Sequence, residues 1–406
     1  MRGVKTVNCS AYAGERKIYK IGVFGLKRGT TIIKASAGIE GISITAICDS
    51  RPENINGGDL KQYCADGVGI YDNFDEFIES GIEAVVLSNY FNEHSKYALR
   101  ALNKGIHVLS ETTAAPTLGE CVELCEAVEN SGAKYMLAAN MPFSYGCLEI
   151  ERLYREGTFG RVYFAEAEYF HPSTVEESHK LMPGKNHWRR FIPRTYYNMH
   201  TLGPLMQITG TIPVKVNAKA IYAPEYAEEH NSNVRDIDSV MLYEMDNGAV
   251  FRTTGWSSLG PTGKWIRLSC AKGTIETARD DFDSIRFAYN PWHAPEGAEV
   301  NKIYKAVPAM ISETEKKSGH GGSDHRMMKA FAGYLDNRDH PFFDVYNSAS
   351  LSAAAIIAWR SVLNNGSGHD IIDFHDKNAR KVYAADYLTP FPDENGKGMT
   401  LPCSSR

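Results

Sequence analysis

The sequence predicts an α/β chain in two parts: an N-terminal doubly wound parallel sheet, then an α+β domain around a large, open antiparallel sheet. Two observations of patterning carry this. Up to about residue 142, short continuous apolar runs alternate with amphipathic stretches, as buried strands joined by helices do. Beyond it, apolar and polar residues alternate singly, as in strands with one face on a core and the other uncovered. Length is the third: 406 residues exceed what one ordinary core serves, so two domains are expected. The predicted division is 1–16, 17–142, 143–387 and 388–406, the first an extension and the last a Pro- and Gly-rich tail.

The first strand is the run Ile18–Phe24 and the second Ile42–Cys48. Ala84–Ser88, His107–Ser110 and Tyr135–Ala139 continue the series, with helical patterns over Glu93–Lys104 and Leu118–Ser131 between them. In the second part a helix over Leu148–Glu156 precedes the alternating stretch Gly160–Phe170. Further strands are expected over Val214–Tyr222, Ser239–Met245, Ala249–Trp256, Trp265–Cys270, Thr274–Thr277 and Ser284–Tyr289. Asp246-Asn247-Gly248 is a hairpin turn signal between two of them. Helices over Asp324–Asn337 and Ser348–Leu363 close the fold. A sheet with one face on helices leaves its other face to be covered, and a second copy of the chain is the expected cover, giving a homo-oligomer.

The first strand runs into Gly25-Leu26-Lys27-Arg28-Gly29-Thr30. Glycine at such a turn lets backbone approach a pyrophosphate, whose charge the following helix N-terminus stabilises. Lys27 stands where a middle glycine is expected, so the full G-x-G-x-x-G is absent. Asp49, ending the second strand, is placed to accept hydrogen bonds from an adenosine ribose and to repel a 2′-phosphate, which favours NAD over NADP; Arg51 lies beside it. An ordinary strand–turn–helix with a charged cap is the other reading of these residues.

Tyr197 and His200 lie three residues apart, about one helical turn, so that both can reach one cleft. A phenol and an imidazole following a nucleotide site suggest hydride and proton chemistry on a hydroxylated substrate. His titrates near neutrality, and a phenol beside a cation can be drawn below its usual value of about 10. An aromatic pair with a hydrogen-bonded core histidine is the alternative.

A net charge of −5 with scattered Lys and Arg offers no footprint for nucleic acid or an anionic membrane. No run approaches the length of a membrane span, and the N-terminus has no apolar segment typical of a secretory signal. Eight cysteines without a CxxC pair read as reduced, and the expected location is cytoplasmic. Cys121 and Cys125 read as small apolar side chains on one helix. No His or carboxylate grouping has metal-ligand spacing.

With these elements placed, the residues resemble the Gfo/Idh/MocA oxidoreductase family over nearly the whole chain. Asn89-Tyr90-Phe91-Asn92-Glu93-His94 resembles that family's loop after the fourth strand, and His107–Thr113 its HVxxEKP segment. Thr112 stands where the family's proton-transferring Lys is expected, and Thr is no general acid–base near neutral pH. A narrower resemblance is to the NAD-dependent glycosidases of glycoside hydrolase family 109, which also lack the Lys. It rests on Glu111–Ala115, Tyr169-Phe170-His171, His187-Trp188-Arg189, Tyr197–Pro204 and Gly319-His320-Gly321-Gly322-Ser323-Asp324.

The resemblance implies an NAD-binding first domain and a substrate-binding, self-associating second domain. It implies cofactor contacts at Gly25, Lys27, Arg28, Gly29, Thr30, Asp49, Arg51, Asn89, His94, Glu111, Asn140 and Trp188. Proton-transfer roles fall on Tyr197, His200, Tyr169 and His320. Arg189 would fix a sugar hydroxyl and Trp188 stack on a ring face; a bridge between domains is their alternative. Asp324 is expected to cap the helix that follows it. The implied reaction is oxidation at C3 of a sugar or glycoside, elimination, water addition and re-reduction. A plain NAD-linked sugar dehydrogenase and a non-catalytic NAD- and sugar-binding regulator are the competing readings.

Overall fold

The computed structural model describes residues 17–56, 60–393 and 395–406. The predicted extension over 1–16 and Cys9 therefore lie outside the described residues. Six strands, β1 (Tyr19–Phe24), β2 (Ile42–Cys48), β3 (Gly69–Tyr71), β4 (Ala84–Leu87), β5 (His107–Ser110) and β6 (Tyr135–Leu137), form a wholly parallel sheet. Their order is β3-β2-β1-β4-β5-β6, so the winding reverses between β1 and β4. Every residue of β4 is buried, as a strand covered on both faces requires.

The second sheet has nine strands: β7 (Val162–Phe170), β8 (Pro213–Tyr222), β9 (Asp236–Met245), β10 (Val250–Thr254), β11 (Gly263–Cys270), β12 (Gly273–Thr277), β13 (Ser284–Tyr289), β14 (Asn301–Lys305) and β15 (His369–Asp370). Its order is β14-β13-β12-β11-β7-β10-β9-β8-β15. It is not wholly antiparallel as the patterning suggested, because β7 and β10 pair parallel. Hairpin turns fix the direction of neighbouring strands, but β7 and β10 are joined by a long connection that leaves either direction open. Patterning also missed β14, an edge strand whose residues are nearly all exposed and so carry no alternation.

Two helices begin earlier than their apolar runs suggest, because the cap lies outside the run. Ser144 accepts from Cys147 N and starts Tyr145–Arg155; Asp344 accepts from Tyr346 N and Asn347 N and starts Val345–Leu363. The Ser- and Ala-rich helix Val345–Leu363 is buried along almost its whole length. Its small side chains let it sit between the sheets. Ser352 Oγ bonds Thr113 Oγ1 at 2.7 Å and accepts from Ala114 N at 3.1 Å, while Ser361 Oγ accepts from Ala218 N at 2.9 Å on β8.

The helix Ser323–Leu335 returns to the first sheet. Met327, Met328 and Phe331 share one apolar cluster with Ile21, Val23, Ile32 and Ile33. The tail is irregular yet anchored, with Trp359 Nε1 donating to Pro402 O at 2.8 Å and Phe391 buried against Phe91 and Tyr196. On the outer face of the second sheet, Leu242, Val250, Ile221 and Ile303 are exposed beside a ladder of Arg252 with Glu166 and Glu168. Among the described residues no helix is long and apolar enough to cross a membrane.

Candidate active site

Glycine at position 25 is a requirement of the fold. Its φ is +90, and a Cβ there would stand 2.5 Å from the Ser88 carbonyl carbon and oxygen. The helix Leu26–Ala35 starts at the next residue, so the expected phosphate loop is its first turn. Within that turn Lys27 is exposed, whereas the Thr30 hydroxyl is spent on Leu26 O at 2.5 Å. Gly29 lets the helix close on β1, since a Cβ would lie 2.7 Å from Val23 Cγ1.

Asp49 is buried and accepts from Leu26 N at 2.7 Å, Arg51 N at 2.9 Å and Asn54 Nδ2 at 3.1 Å. It thus ties the end of β2 to the helix start. Arg51 Nη2 donates to Tyr90 Oη at 2.6 Å, and Tyr90 meets His187 edge-on.

Arg28 is not free to meet a phosphate. Both terminal nitrogens donate to Asp324 at 2.8 Å and Nε donates to Glu111 at 2.7 Å. Burial works against its charge, but Glu111 and Asp324 together hold its pKa above the ordinary value. Asp324 does not cap its helix, as expected from its position; Gly322 is the capping residue and no side chain bonds there. The carboxylate instead takes Arg28, Asn140 Nδ2 at 3.1 Å and His320 Nδ1 at 2.9 Å. A fully buried carboxylate gains more from three donors than from a helix end.

A cleft of about 190 Å³ opens at the carboxyl ends of the central strands, where the winding of the first sheet reverses. Arg28, Asn89, His94, Glu111, Asn140, Trp188, Arg189, Tyr197, His200 and His320 all line it. Tyr169 joins through its ring, 4.5 Å from His200 and 6.4 Å from Tyr197. Tyr197 and His200 lie 5.1 Å apart, ring to ring, so the two residues do meet in one cleft. The connection differs from the expected α-turn: Arg194–Tyr197 is a 3-10 turn and His200 follows it in irregular chain.

The indole of Trp188 stacks on Phe91, centroids 5.0 Å apart, and the Arg189 guanidinium lies 4.4 Å from the indole ring centroid. Sequence reasoning did not single out Ser88, Phe91 or Met199, which also line the cleft. Ser88 and Phe91 flank Asn89 in the loop after β4, and Met199 precedes His200; position beside a candidate was the available signal.

Burial dominates the protonation of these groups. The His200 imidazole is pushed down to about 3, first by burial and then by His320, Lys264, His171 and Arg28 nearby. It is therefore neutral, not poised near neutrality as its type suggested. The Tyr197 and Tyr169 phenols are pushed up by burial, which outweighs the Arg189 charge that was expected to lower them. Burial lowers the His94 imidazole as well, and outweighs the opposing effect of Nδ1–H donating to Thr113 O at 3.1 Å.

Several buried polar atoms of the cleft lack a protein partner: Ser88 Oγ, both amide atoms of Asn89, His94 Nε2 and His200 Nδ1. Each such atom costs about 1–3 kcal/mol when left unpaired. A polar ligand in the cleft removes that cost. With Gly25 at the helix start and Asp49 at the end of β2, the residues present fit a dinucleotide. Among the described residues no group of three or more His, Cys, Asp or Glu is placed to hold a metal ion.

Residues 19–139 match the model of the oxidoreductase family with an NAD-binding Rossmann fold, and residues 292–380 match the glycosyl hydrolase 109 C-terminal domain. The chain is thus similar to Gfo/Idh/MocA oxidoreductases over its first domain and to glycosyl hydrolase 109 proteins over its C-terminal part. A glycosyl hydrolase family 109 protein of Shewanella putrefaciens is 22% identical over 89% of this chain and 86% of its own. An alpha-N-acetylgalactosaminidase of Shewanella oneidensis is 21% identical over the same shares. Levoglucosan dehydrogenase, solved with NADH and levoglucosan, superposes with a TM-score of 0.72 at 15% identity, over 88% of this chain and all of the other. By this match and by fold, residues 19–139 form an NAD-binding Rossmann domain.

A neutral buried His200 has a consequence for acid stability. Its folded pKa lies below the usual 6.5, so the unfolded chain binds the extra proton and stability falls as pH drops from about 6.5 towards 3. The slope contributed is at most about 1.4 kcal/mol per pH unit. His200→Asn should therefore lose stability less steeply over that window in urea melts. Parallel slopes for the two proteins would mean that the imidazole is not held neutral.

Proposed function

We propose that this protein is an NAD-dependent enzyme that cleaves a glycoside by oxidation at C3, elimination across C1 and C2, water addition and re-reduction. The observation that carries the reading is the ring of neutral proton-transfer groups, Tyr197, His200 and Tyr169, around a cleft in which Thr112 stands in place of a Lys. A plain dehydrogenation needs one base. Elimination and water addition need further proton acceptors and donors around the same ring.

The first turn of Leu26–Ala35 would hold the pyrophosphate, and Asp49 the adenosine ribose. Asn89, His94 and Trp188 would surround the nicotinamide. When bound, NAD supplies the hydride acceptor and returns the hydride at the end. His200, neutral because it is buried, is free to accept a proton. Tyr197 and His200 divide the protons at C3 and C2 between them. Tyr169 and His320 serve the leaving group and the entering water. Arg189, stacked on Trp188, fixes a sugar hydroxyl. The likeness in fold to levoglucosan dehydrogenase supports a second reading, a sugar dehydrogenase without cleavage.

Substrate cleaved in D2O should carry deuterium at C2 of the released sugar, read by mass spectrometry. His200→Ala should cost roughly 100-fold or more in kcat. Tyr197→Phe, which keeps the ring and removes only the hydroxyl, should fall in the same direction. An unlabelled C2 would leave the dehydrogenase reading.

The second sheet supports a homo-oligomer. Its outer face leaves Leu242, Val250, Ile221 and Ile303 exposed, with no helix of the described residues across them. Light scattering at micromolar concentration should give a dimer or larger; a monomer would contradict the proposal.

A further inference from the structure

Of the imidazoles that line the cleft, His94, His200 and His320, His320 is the one paired with a fully buried carboxylate. Its loop is shaped for that contact. His320 has φ 56 and is followed by Gly321 and Gly322, also at positive φ. Before it, a Cβ on Gly319 would stand 2.4 Å from Asp324 Oδ2 and 2.4 Å from Thr31 Cγ2, so only glycine lets the loop close this far. The result is His320 Nδ1 at 2.9 Å from Asp324 Oδ2, with the imidazole reaching the cleft.

We propose that Asp324 is the positioning residue of His320: its carboxylate selects the Nδ1–H tautomer and leaves Nε2 as the acceptor of the ring. An ionised carboxylate only accepts hydrogen bonds, so Nδ1 must carry the proton. Asp324 stays ionised because Arg28 grips both its oxygens, and Asn140 adds a third donor. When Nε2 takes a proton from a substrate hydroxyl or water, the imidazolium forms against a carboxylate already in contact. The oxygen that gave the proton keeps the electron pair. The charged and titratable groups facing the ring are Asp324 and Arg28 behind it and His171 and His200 across the cleft. Because Arg28 is in the first turn of the dinucleotide helix, the same carboxylate sets His320 and that helix in one geometry. The assignment rests on the reading of His320 as a proton-transfer group.

The tautomer is measurable without turnover. In 15N-histidine NMR of the NADH-loaded protein, with His320 identified by its loss in His320→Gln, the expected spectrum is Nδ1 protonated and Nε2 bare. Asp324→Asn should mix the tautomers and lower kcat roughly 10- to 100-fold. An Nε2–H tautomer in the wild type, or an unchanged tautomer ratio in Asp324→Asn, would overturn the proposal. Should Asp324→Asn not fold, the wild-type spectrum alone decides. A wild-type protein with the Nδ1–H tautomer that processes no sugar would remove the glycosidase reading and leave the positioning assignment standing.

Discussion

The buried pair of Arg28 and Asp324 holds the cleft together. It joins the first turn of the dinucleotide helix to the first turn of Ser323–Leu335, 296 residues away in sequence. Burying two charges is expensive, and such a pair is tolerated only when every donor and acceptor is met. Here they are met: Arg28 also reaches Glu111, and Asp324 also takes Asn140 and His320. Removing one partner of such a pair costs about 3–5 kcal/mol, because the other charge remains buried. Four segments that are distant in sequence are thereby fixed around one space.

Desolvation then sets the chemistry. A cleft walled by Trp188, Phe91, Tyr197 and Tyr169 lowers the His200 and His94 imidazoles and raises the Tyr197 and Tyr169 phenols, which favours their neutral forms. Neutral groups exchange protons with a bound hydroxyl without first losing a counter-charge. In such surroundings a partnered histidine and an unpartnered one do different work. His320 has Asp324 behind it to hold an imidazolium, whereas His200 has only aromatic rings and other cations near it. That asymmetry separates a proton acceptor that keeps its charge from one that must pass it on.

Much of the fold was legible because burial leaves periodicity behind. The continuous runs of β1, β2 and β4 and the alternation of β9 are direct records of two covered faces and of one. What failed was information that is not local. The parallel pairing of β7 with β10 is decided by connections, and exposed β14 has no pattern to read. At the site, Tyr197, His200, Tyr169 and His320 are brought within reach of one cleft, as their motifs implied. The protonation of Tyr197, His200 and Tyr169 was not legible. Reference pKa values belong to solvated groups, and the burial that moves these groups depends on Phe91, Trp188 and other rings contributed by separate elements. Arg28 and Asp324 were misread for the same reason: each was assigned to its nearest neighbours in sequence, and each is paired with the other.

In the proposed reaction NAD is consumed and regenerated within each turnover. The direct measurement is NADH absorbance followed during steady-state processing of a glycoside by purified protein with no added cofactor. A constant, substoichiometric NADH level while free sugar accumulates is the expected result. NADH rising in proportion to product, or no reaction until NAD is supplied in equivalent amounts, would contradict the account.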